Sequence, residues 1–399
     1  MEHWLGTTEN KPPERRDNTF RNACIAYFVA MVLFVCLRVA SGLGWFGLLV
    51  ETVCGSNACD HMTCIGAQVT DIVASVLIQI VIFLVVPLVI FKVLSGNTMK
   101  KTLTDIGFNR PSGRVIGFSF LLGVLFYILN IFVASLAAFV LIMLGYRFPG
   151  GSSAFVGAVG FLIGIIIIGV LPGVCEEVSN RGILMRGLMS KIGVWRAVLL
   201  SSLIFGLMHL NIVQMFYAAV LGGFMALAIL ATRSLWTGII IHFMNNALSV
   251  FFEFARSQNW AVGDFLNILI DFFGSFGGII FFLLPVVMYL LIVRIIHMFA
   301  RESYKANEKE YFVEFLKKNP EYIAKKVAQG QPVSIEEMSA SVQAHTSKLS
   351  KMNAIRFYIE GQRKQQKLEP LEKTLMFGII FLTSVVTAMT LVWGLPPFF

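Results

Sequence analysis

Charged residues are scarce in this chain of 399 residues, of which Asp, Glu, Lys and Arg together make up 14%. Soluble domains carry about 25% charged residues, so the chain lacks the polar surface that a water-soluble protein of this length needs. Hydrophobic residues account for 57%, and the mean hydropathy is +0.76. This composition excludes the soluble classes of protein and indicates that most of the outer surface faces lipid.

Cysteine is also scarce, with six in the chain. Three of them, Cys54, Cys59 and Cys64, lie together in the first loop between apolar runs. If that loop is extracytoplasmic, one disulfide is expected there, with the third thiol unpaired. A metal site that includes Asp60 and His61 is the alternative, although the spacing matches no usual zinc pattern.

Long runs of apolar residues recur along the chain. A helix needs about 20 apolar residues to cross a hydrocarbon core of roughly 30 Å. The candidate spans are 22–42, 71–94, 115–145, 156–178, 196–212, 214–231, 235–254, 264–296 and 374–396. The predicted fold class is all-α, a polytopic integral membrane helical bundle with about 8–9 transmembrane helices.

The cations predict an orientation, because loops rich in Lys and Arg stay in the cytoplasm. Cations precede the first span and recur in 92–114 and 181–196, whereas the intervening loops carry only Arg147 and Arg256. We therefore expect a multi-pass protein of the cell membrane with a cytoplasmic N-terminus. The first stretch is polar and basic, which is typical of a cytoplasmic tail and not of a cleavable signal peptide. The net charge of +9 then reflects membrane orientation, and no nucleic-acid partner is expected.

The organisation predicted from these patterns has six parts. They are a cytoplasmic N-terminal tail (1–21), N-terminal spans with the cysteine-containing extracytoplasmic loop (22–99), a membrane core (100–255), an additional span (256–300), a charged cytoplasmic helical insertion (301–373) and a C-terminal span (374–399). The insertion mixes Lys and Arg with Glu at helical spacing. It is expected to serve either as a solvated linker or as a docking platform for a protein partner.

Ionisable residues inside apolar spans are costly and mark functional sites. Glu176 and Glu177 follow an apolar run, and Arg181 shares a helical face with Glu177. Their placement predicts a site at the cytoplasmic end of the fourth span. Each group also has a structural explanation, since acidic residues at the end of a helix can simply reach water.

Two further spans carry polar groups. His209 lies deep in an apolar segment with Phe205 one turn before it, and His242 and Asn246 share one face of the following span. Asn245 is expected to point elsewhere. Taken singly, a histidine in such a helix is more often a packing residue, and Asn side chains often hydrogen-bond neighbouring helices.

Together these groups predict hydrolytic chemistry, because helices turn polar side chains toward one another and away from lipid. A glutamate with a histidine partner can activate water, and a second histidine with an amide can donate to an oxyanion. A Ser or Cys nucleophile with matched partners is lacking, apart from Cys175 beside Glu176. Zinc is the rival mechanism, but a His-Glu-x-x-His helix is also lacking, so we expect no metal and no other cofactor.

The three motifs resemble those of a known family. EEVSNRG is similar to the Glu-Glu-x-x-x-Arg motif of the CPBP family, the CAAX proteases and bacteriocin-processing (Abi) enzymes. FGLMH is similar to its Phe-x-x-x-His motif and HFMNN to its His-x-x-x-Asn motif, in the family's order. The resemblance covers about residues 100–255 and includes LTDIGFNRPSG before the core. One departure is Asn180, where members commonly have an aromatic residue.

The resemblance implies an intramembrane glutamate protease, a membrane-embedded endopeptidase. Glu176 and His209 would activate water, and His242 and Asn246 would form the oxyanion hole. Glu177, Arg181 and Phe205 would support them. The expected partners are the lipid bilayer and a membrane-bound peptide or protein, cleaved near the cytoplasmic face. A non-proteolytic scaffold, a bacteriocin self-immunity protein and a proton-relaying transporter are the alternatives.

Overall fold

The structure, a computed structural model, describes residues 19–42, 72–146, 157–264, 278–306 and 366–393, with scattered positions between 324 and 355. Over these residues the chain is helical and contains no strand. The helices are α1 (Thr19–Gly42), α2 (Ile72–Ser95), α3 (Met99–Asp105), α4 (Gly113–Met143), α5 (Gly157–Ile192), α6 (Val194–Leu207), α7 (Ile212–Thr232), α8 (Leu235–Ser257), α9 (Gly278–Ala306) and α10 (Pro370–Trp393).

Eight of these helices are long and apolar enough to cross a membrane, in agreement with the predicted polytopic helical bundle. The chain is therefore a multi-pass membrane protein. The exception is α6, which the sequence predicts as a full span over 196–212. With 14 residues it is about 21 Å long, shorter than a hydrocarbon core.

The fourth span differs most from its expected bounds. Its apolar run ends near residue 178, but the helix continues to Ile192, with wider π-type turns over Val178–Met185. All eight residues of that segment are buried. Because neighbouring helices cover the segment, its polar residues do not end the helix, and Glu176 lies near the middle of α5 instead of at its end.

Helices α1 and α2 pack antiparallel, whereas α1 and α10 run in the same direction. Asn22 at the start of α1 lies 3.5 Å from Ser95 at the end of α2. Cys24 of α1 contacts Met376 of α10, with their sulfur atoms 3.5 Å apart. The start of α10 is held by Glu372, whose carboxylate accepts a hydrogen bond from Lys191 at 2.5 Å.

The short helix α6 forms a hairpin with α7, and small residues let the two helices approach closely. A Cβ atom on Gly222 of α7 would lie 2.9 Å from Nη2 of Arg181 and 3.2 Å from the Phe205 ring. Glycine at this position lets α7 close over both side chains. The hairpin turn, residues 208–211, thereby carries His209 into the bundle beside α5.

Candidate active site

Glycines bring α5 and α8 together at the candidate site. A Cβ atom on Gly173 would lie 3.3 Å from the backbone nitrogen of Phe243, and one on Gly238 would lie 2.9 Å from Oε2 of Glu177. A larger side chain at Gly173 would press on the backbone of α8, and one at Gly238 would press on the side chains of Ile229 and Glu177. The close approach of the two backbones places Glu177 directly against α8.

Glu177 is held in a buried clamp. Its Oε1 accepts a hydrogen bond from Nη1 of Arg181 at 2.6 Å and lies 3.1 Å from Nδ1 of His242. Glu177 is 0% exposed and Arg181 is 1% exposed, so the ion pair is isolated from water. The helical pairing of Glu177 with Arg181 expected from the sequence is present, and His242 joins it from α8.

Phe205 packs at the centre of the candidate site. The Arg181 guanidinium lies 3.8 Å from the centroid of its ring. The rings of His209 and His242 meet it edge-on, with centroids 5.0 Å and 5.8 Å away. This single aromatic ring therefore orients one cation and both histidines that the sequence singles out.

Hydrogen bonds fix the tautomer of each histidine. Nδ1 of His209 lies 2.8 Å from the backbone oxygen of Phe205, and Nδ1 of His242 faces the carboxylate of Glu177. Both partners only accept, so each Nδ1 carries a hydrogen. In the neutral ring, Nε2 is then an acceptor. His209 is thus arranged as a base, whereas His242 can donate through Nε2 only as imidazolium.

Glu176 has a different environment from its neighbour. Its Oε1 accepts a hydrogen bond of 2.9 Å from Nε2 of Gln79 on α2, and the side chain faces a cavity of about 70 Å³. The residues lining the cavity are Phe34, Arg38, Ile78, Gln79, Phe83, Glu176, Met208, His209 and Gln214. A water molecule needs about 10–15 Å³ of such volume, so several fit between Glu176 and His209.

The amides of α8 form a hydrogen-bonded chain. Asn130 of α4 donates to Oδ1 of Asn245 at 2.7 Å, Asn245 donates to Asn246 at 3.0 Å, and Asn246 donates to the backbone oxygen of Ile168 at 2.8 Å. Asn245 is turned toward Asn130 of α4 and is buried there, whereas His242 and Asn246 contact α5, so Asn245 points elsewhere as the sequence predicts.

The structure brings the predicted residues together in three groups. Glu176 and His209 share the cavity, while His242 joins Glu177 and Asn246 joins the amide chain. As far as the described residues define it, the lining of the cavity includes neither His242 nor Asn246. Their assignment to an oxyanion hole stays a prediction.

Sequence reasoning missed two residues that hold Glu176. Gln79 is one, and its position inside an apolar run was the available signal. Tyr27 of α1 is the other: its hydroxyl donates to Oδ1 of Asn180 at 2.7 Å, and Nδ2 of Asn180 donates to the backbone oxygen of Glu176 at 2.9 Å. Asn180 therefore ties α1 to the turn of α5 that carries the glutamates.

Metal ligands are not grouped in the part of the chain that the structure describes: no three His, Cys, Asp or Glu side chains lie close enough together there to hold an ion. The expectation of a metal-independent site stays a prediction. Cys54, Cys59 and Cys64 lie outside the described residues, and the disulfide expected among them is untested.

Comparison with known proteins shows what the segment around this site is similar to. Residues 158–248 match the family model described as "Type II CAAX prenyl endopeptidase Rce1-like". The "Putative membrane peptidase YdiL" of Bacillus subtilis (strain 168) is 27% identical over 96 residues, which cover 24% of this chain and 39% of that protein. No solved structure matches the chain. The matched segment, residues 158–248, contains all three motifs and is similar to this family of CAAX endopeptidases.

Proposed function

We propose that this protein is a membrane-embedded endopeptidase that hydrolyses a peptide bond in a membrane-associated peptide or protein. The observation that carries the proposal is the cavity shared by Glu176 and His209. The cavity has a carboxylate and an imidazole acceptor in its lining and is large enough for water, and it lies inside the segment similar to CAAX endopeptidases.

In the proposed mechanism, water in the cavity is the nucleophile. Glu176 accepts one proton as the water oxygen bonds to the carbonyl carbon of the substrate, which gives a tetrahedral intermediate. Nε2 of His209 acts as a second proton acceptor during this step. Collapse of the intermediate breaks the C–N bond, and the proton held at the site passes to the leaving nitrogen. One water is consumed, and a carboxylic acid and an amine are formed.

The oxyanion of the intermediate needs donors, for which His242 and Asn246 are the candidates. Asn246 has one N–H beyond the hydrogen that it donates to Ile168. His242 supplies Nε2–H only when both of its ring nitrogens carry hydrogen, since its Nδ1–H is directed to the carboxylate of Glu177 at 3.1 Å. Neither residue lines the cavity in the described part of the chain, so this role requires α8 to move relative to α5 when substrate binds. No metal or other cofactor takes part in this scheme.

The test compares the membrane peptides of cells that carry the native chain or Glu176→Gln, an almost isosteric change. Glu253→Gln is the matched control, because Glu253 is exposed on α8. We expect a set of product peptides in native and control cells that is missing in Glu176→Gln cells at equal protein level. Equal peptide sets, with the cellular phenotype retained in Glu176→Gln, would instead favour the scaffold or self-immunity role.

Beyond the substrate, one partner is proposed. The charged insertion 301–373 would dock a protein that presents or regulates the substrate, and its alternation of Lys, Arg and Glu is the supporting observation. Deletion of 310–360 tests the docking role. We expect the variant to keep its membrane level and lose product peptides, whereas unchanged product peptides would leave the insertion as a solvated linker.

A further inference from the structure

Two turns of the chain meet at one end of the helical bundle and form a corner beside α5. One turn follows α3, and the other connects α7 to α8. The Leu235 nitrogen donates to the Gly107 oxygen at 2.7 Å, and Nδ2 of Asn109 donates to the backbone oxygen of Arg233 at 3.0 Å. These hydrogen bonds fix the two turns against each other. The corner consists of residues 106–109 and 233–235.

The side chain of Arg186 on α5 lies against this corner. A Cβ atom at Gly107 would overlap Nη2 of Arg186 and lie 2.8 Å from its Cζ, so the guanidinium rests directly on the glycine. Gly107 has a φ of +98°, which glycine adopts without strain. One turn before Arg186, Gly182 brings α5 close to Ile106 and Leu235. The corner and α5 are therefore in close contact, and the Arg186 guanidinium is held in place by packing.

The Arg186 guanidinium has no acceptor within the part of the chain that the structure describes. Its Nε atom is buried without a hydrogen-bond partner. The side chain as a whole is half-buried, so its accessible part is the edge formed by Nη1 and Nη2. A guanidinium that is partly removed from water without an acceptor is costly. An acceptor at the Nη edge would offset part of that cost.

Nearby charges do not supply this acceptor. The charges of Arg233 and Asp105 act on the Arg186 guanidinium. Arg233 adds a second positive charge. Oδ2 of Asp105 accepts hydrogen bonds from Lys101 at 2.9 Å and from Asn97 at 3.1 Å, so this carboxylate is already paired with another cation. Two like charges at one place attract an anion.

The corner lies at the depth of lipid headgroups. The apolar helix α7 ends at Thr232 and α8 begins at Leu235, so the corner marks the end of two spans. Phe108 meets Trp236 edge-on, with ring centroids 5.6 Å apart, and 41% of Trp236 is exposed. Aromatic residues collect at the interface between hydrocarbon and headgroups. The anion that a membrane offers at this depth is the phosphate of a phospholipid.

We propose that Arg186 binds the phosphate of an anionic phospholipid headgroup at the corner, through the hydrogens of Nη1 and Nη2. A guanidinium presents parallel N–H groups that match two phosphate oxygens, and Arg233 supplies a second positive charge. The lipid would join α5, which carries the glutamates, to the start of α8, which carries His242. The site is separate from the cavity, and lipid binding there does not depend on the proposed peptidase function.

Thermal unfolding of the purified full chain in the presence of lipid tests this site. The protein is kept in dodecyl maltoside micelles, which contain no phosphate, and phosphatidylglycerol is added in steps. Monogalactosyl diacylglycerol, a neutral lipid without phosphate, and inorganic phosphate are added in parallel series. A ligand that binds the folded state raises the unfolding midpoint. The measured quantity is the concentration of each additive that gives half of the maximal rise.

The native chain is compared with Arg186→Gln and with Arg114→Gln as the matched control. Arg114 is exposed at the start of α4, so its substitution removes the same charge at the same end of the bundle, outside the corner. We expect Arg186→Gln to need roughly tenfold more phosphatidylglycerol than the native chain, the loss typical of one hydrogen bond to a charged group. Arg114→Gln should need the same amount as the native chain.

Equal phosphatidylglycerol requirements for the native chain and Arg186→Gln would overturn the proposal. An equal response of the native chain to the galactolipid would also overturn it, because acyl chains alone would then explain the stabilisation. A response to inorganic phosphate that Arg186→Gln lacks, without any response to phosphatidylglycerol, would keep the anion site and overturn the lipid as its ligand.

A second variant covers the case in which Arg186→Gln gives no folded protein. Arg233→Gln changes the corner and leaves α5 intact, and it should raise the phosphatidylglycerol requirement several-fold because one of the two attracting charges is lost. An unchanged requirement in Arg233→Gln would then count against the site. Thermal unfolding involves no proteolysis, so failure of this proposal and failure of the peptidase function are distinguishable.

Discussion

Glu176 and Glu177 are neighbours in the chain but have opposite environments. Glu177 is fully buried, paired with Arg181 and in contact with His242. Glu176 accepts one hydrogen bond from Gln79 and faces a cavity. A helix turns by about 100° per residue, so adjacent side chains face different neighbours. The same carboxylate group is thereby made structural at one position and available for chemistry at the next.

The largest expected effect is on catalysis at Glu176. Glu176→Gln and His209→Ala should each lower turnover by about 10²–10⁴-fold, the usual loss on removing a general base. Neither should lower the protein level, because both side chains border a cavity that is large enough for water. The measurement is product formation from membranes matched for protein amount. Glu177→Gln is the comparison, and equal effects of the two glutamine variants at unchanged stability would contradict the division of roles.

The next largest effect is expected on the free energy of unfolding, through the ion pair that holds Glu177. Arg181→Ala leaves a buried carboxylate without its cation and should cost about 3–5 kcal/mol of unfolding free energy. Reduced membrane levels and a lower thermal unfolding midpoint in detergent would be the readouts. The exposed Arg256→Ala is the control and should behave as the native chain. A fully stable Arg181→Ala protein would show that the pair is not the anchor of this region.

An intermediate effect on turnover is expected at His242, which contacts Glu177 in the clamp and is also a proposed oxyanion donor. His242→Ala removes one proposed oxyanion donor and should lower turnover by about 10²–10³-fold. The loss should appear in kcat, with KM little changed, because the donor acts on the transition state. His297→Ala, outside the site on α9, is the control. A change confined to KM would assign His242 to substrate binding instead.

The smallest expected effect concerns Gln79, which positions Glu176 from α2. Gln79→Ala should lower kcat roughly tenfold, in line with the loss of one hydrogen bond to a charged group. Gln258→Ala, an exposed amide, should have no effect. Equal kcat values for the native chain and Gln79→Ala would show that the hydrogen bond does not contribute to the placement of Glu176.

The sequence predicts the fold class and much of the candidate site. Apolar runs near 20 residues indicate spans wherever they occur, because hydrocarbon thickness sets their length. The motifs around Glu176, His209 and His242 could be found because polar groups are rare inside such runs. The i,i+4 pair of Glu177 and Arg181 follows from helical geometry alone.

The length of α5 and the shortness of α6 could not be predicted in this way. Hydropathy averages ended the fourth span at the polar residues 176–181, but these side chains are buried by α1, α2 and α8 and the helix continues. For α6, the apolar residues continue through the turn at 208–211, so composition does not mark its end. A helix terminus that depends on tertiary packing leaves no pattern in the neighbouring sequence.

What the sequence by itself determined is therefore a multi-pass helical protein with a Glu/His/Asn constellation in three segments. Only the tertiary structure decided which of these groups meet. Three residues from helices distant in sequence each donate a hydrogen bond to a residue of the motifs. They are Gln79, Tyr27 and Asn130. Local periodicity reports which face of a helix a residue occupies. The neighbour on that face depends on how helices far apart in the chain pack.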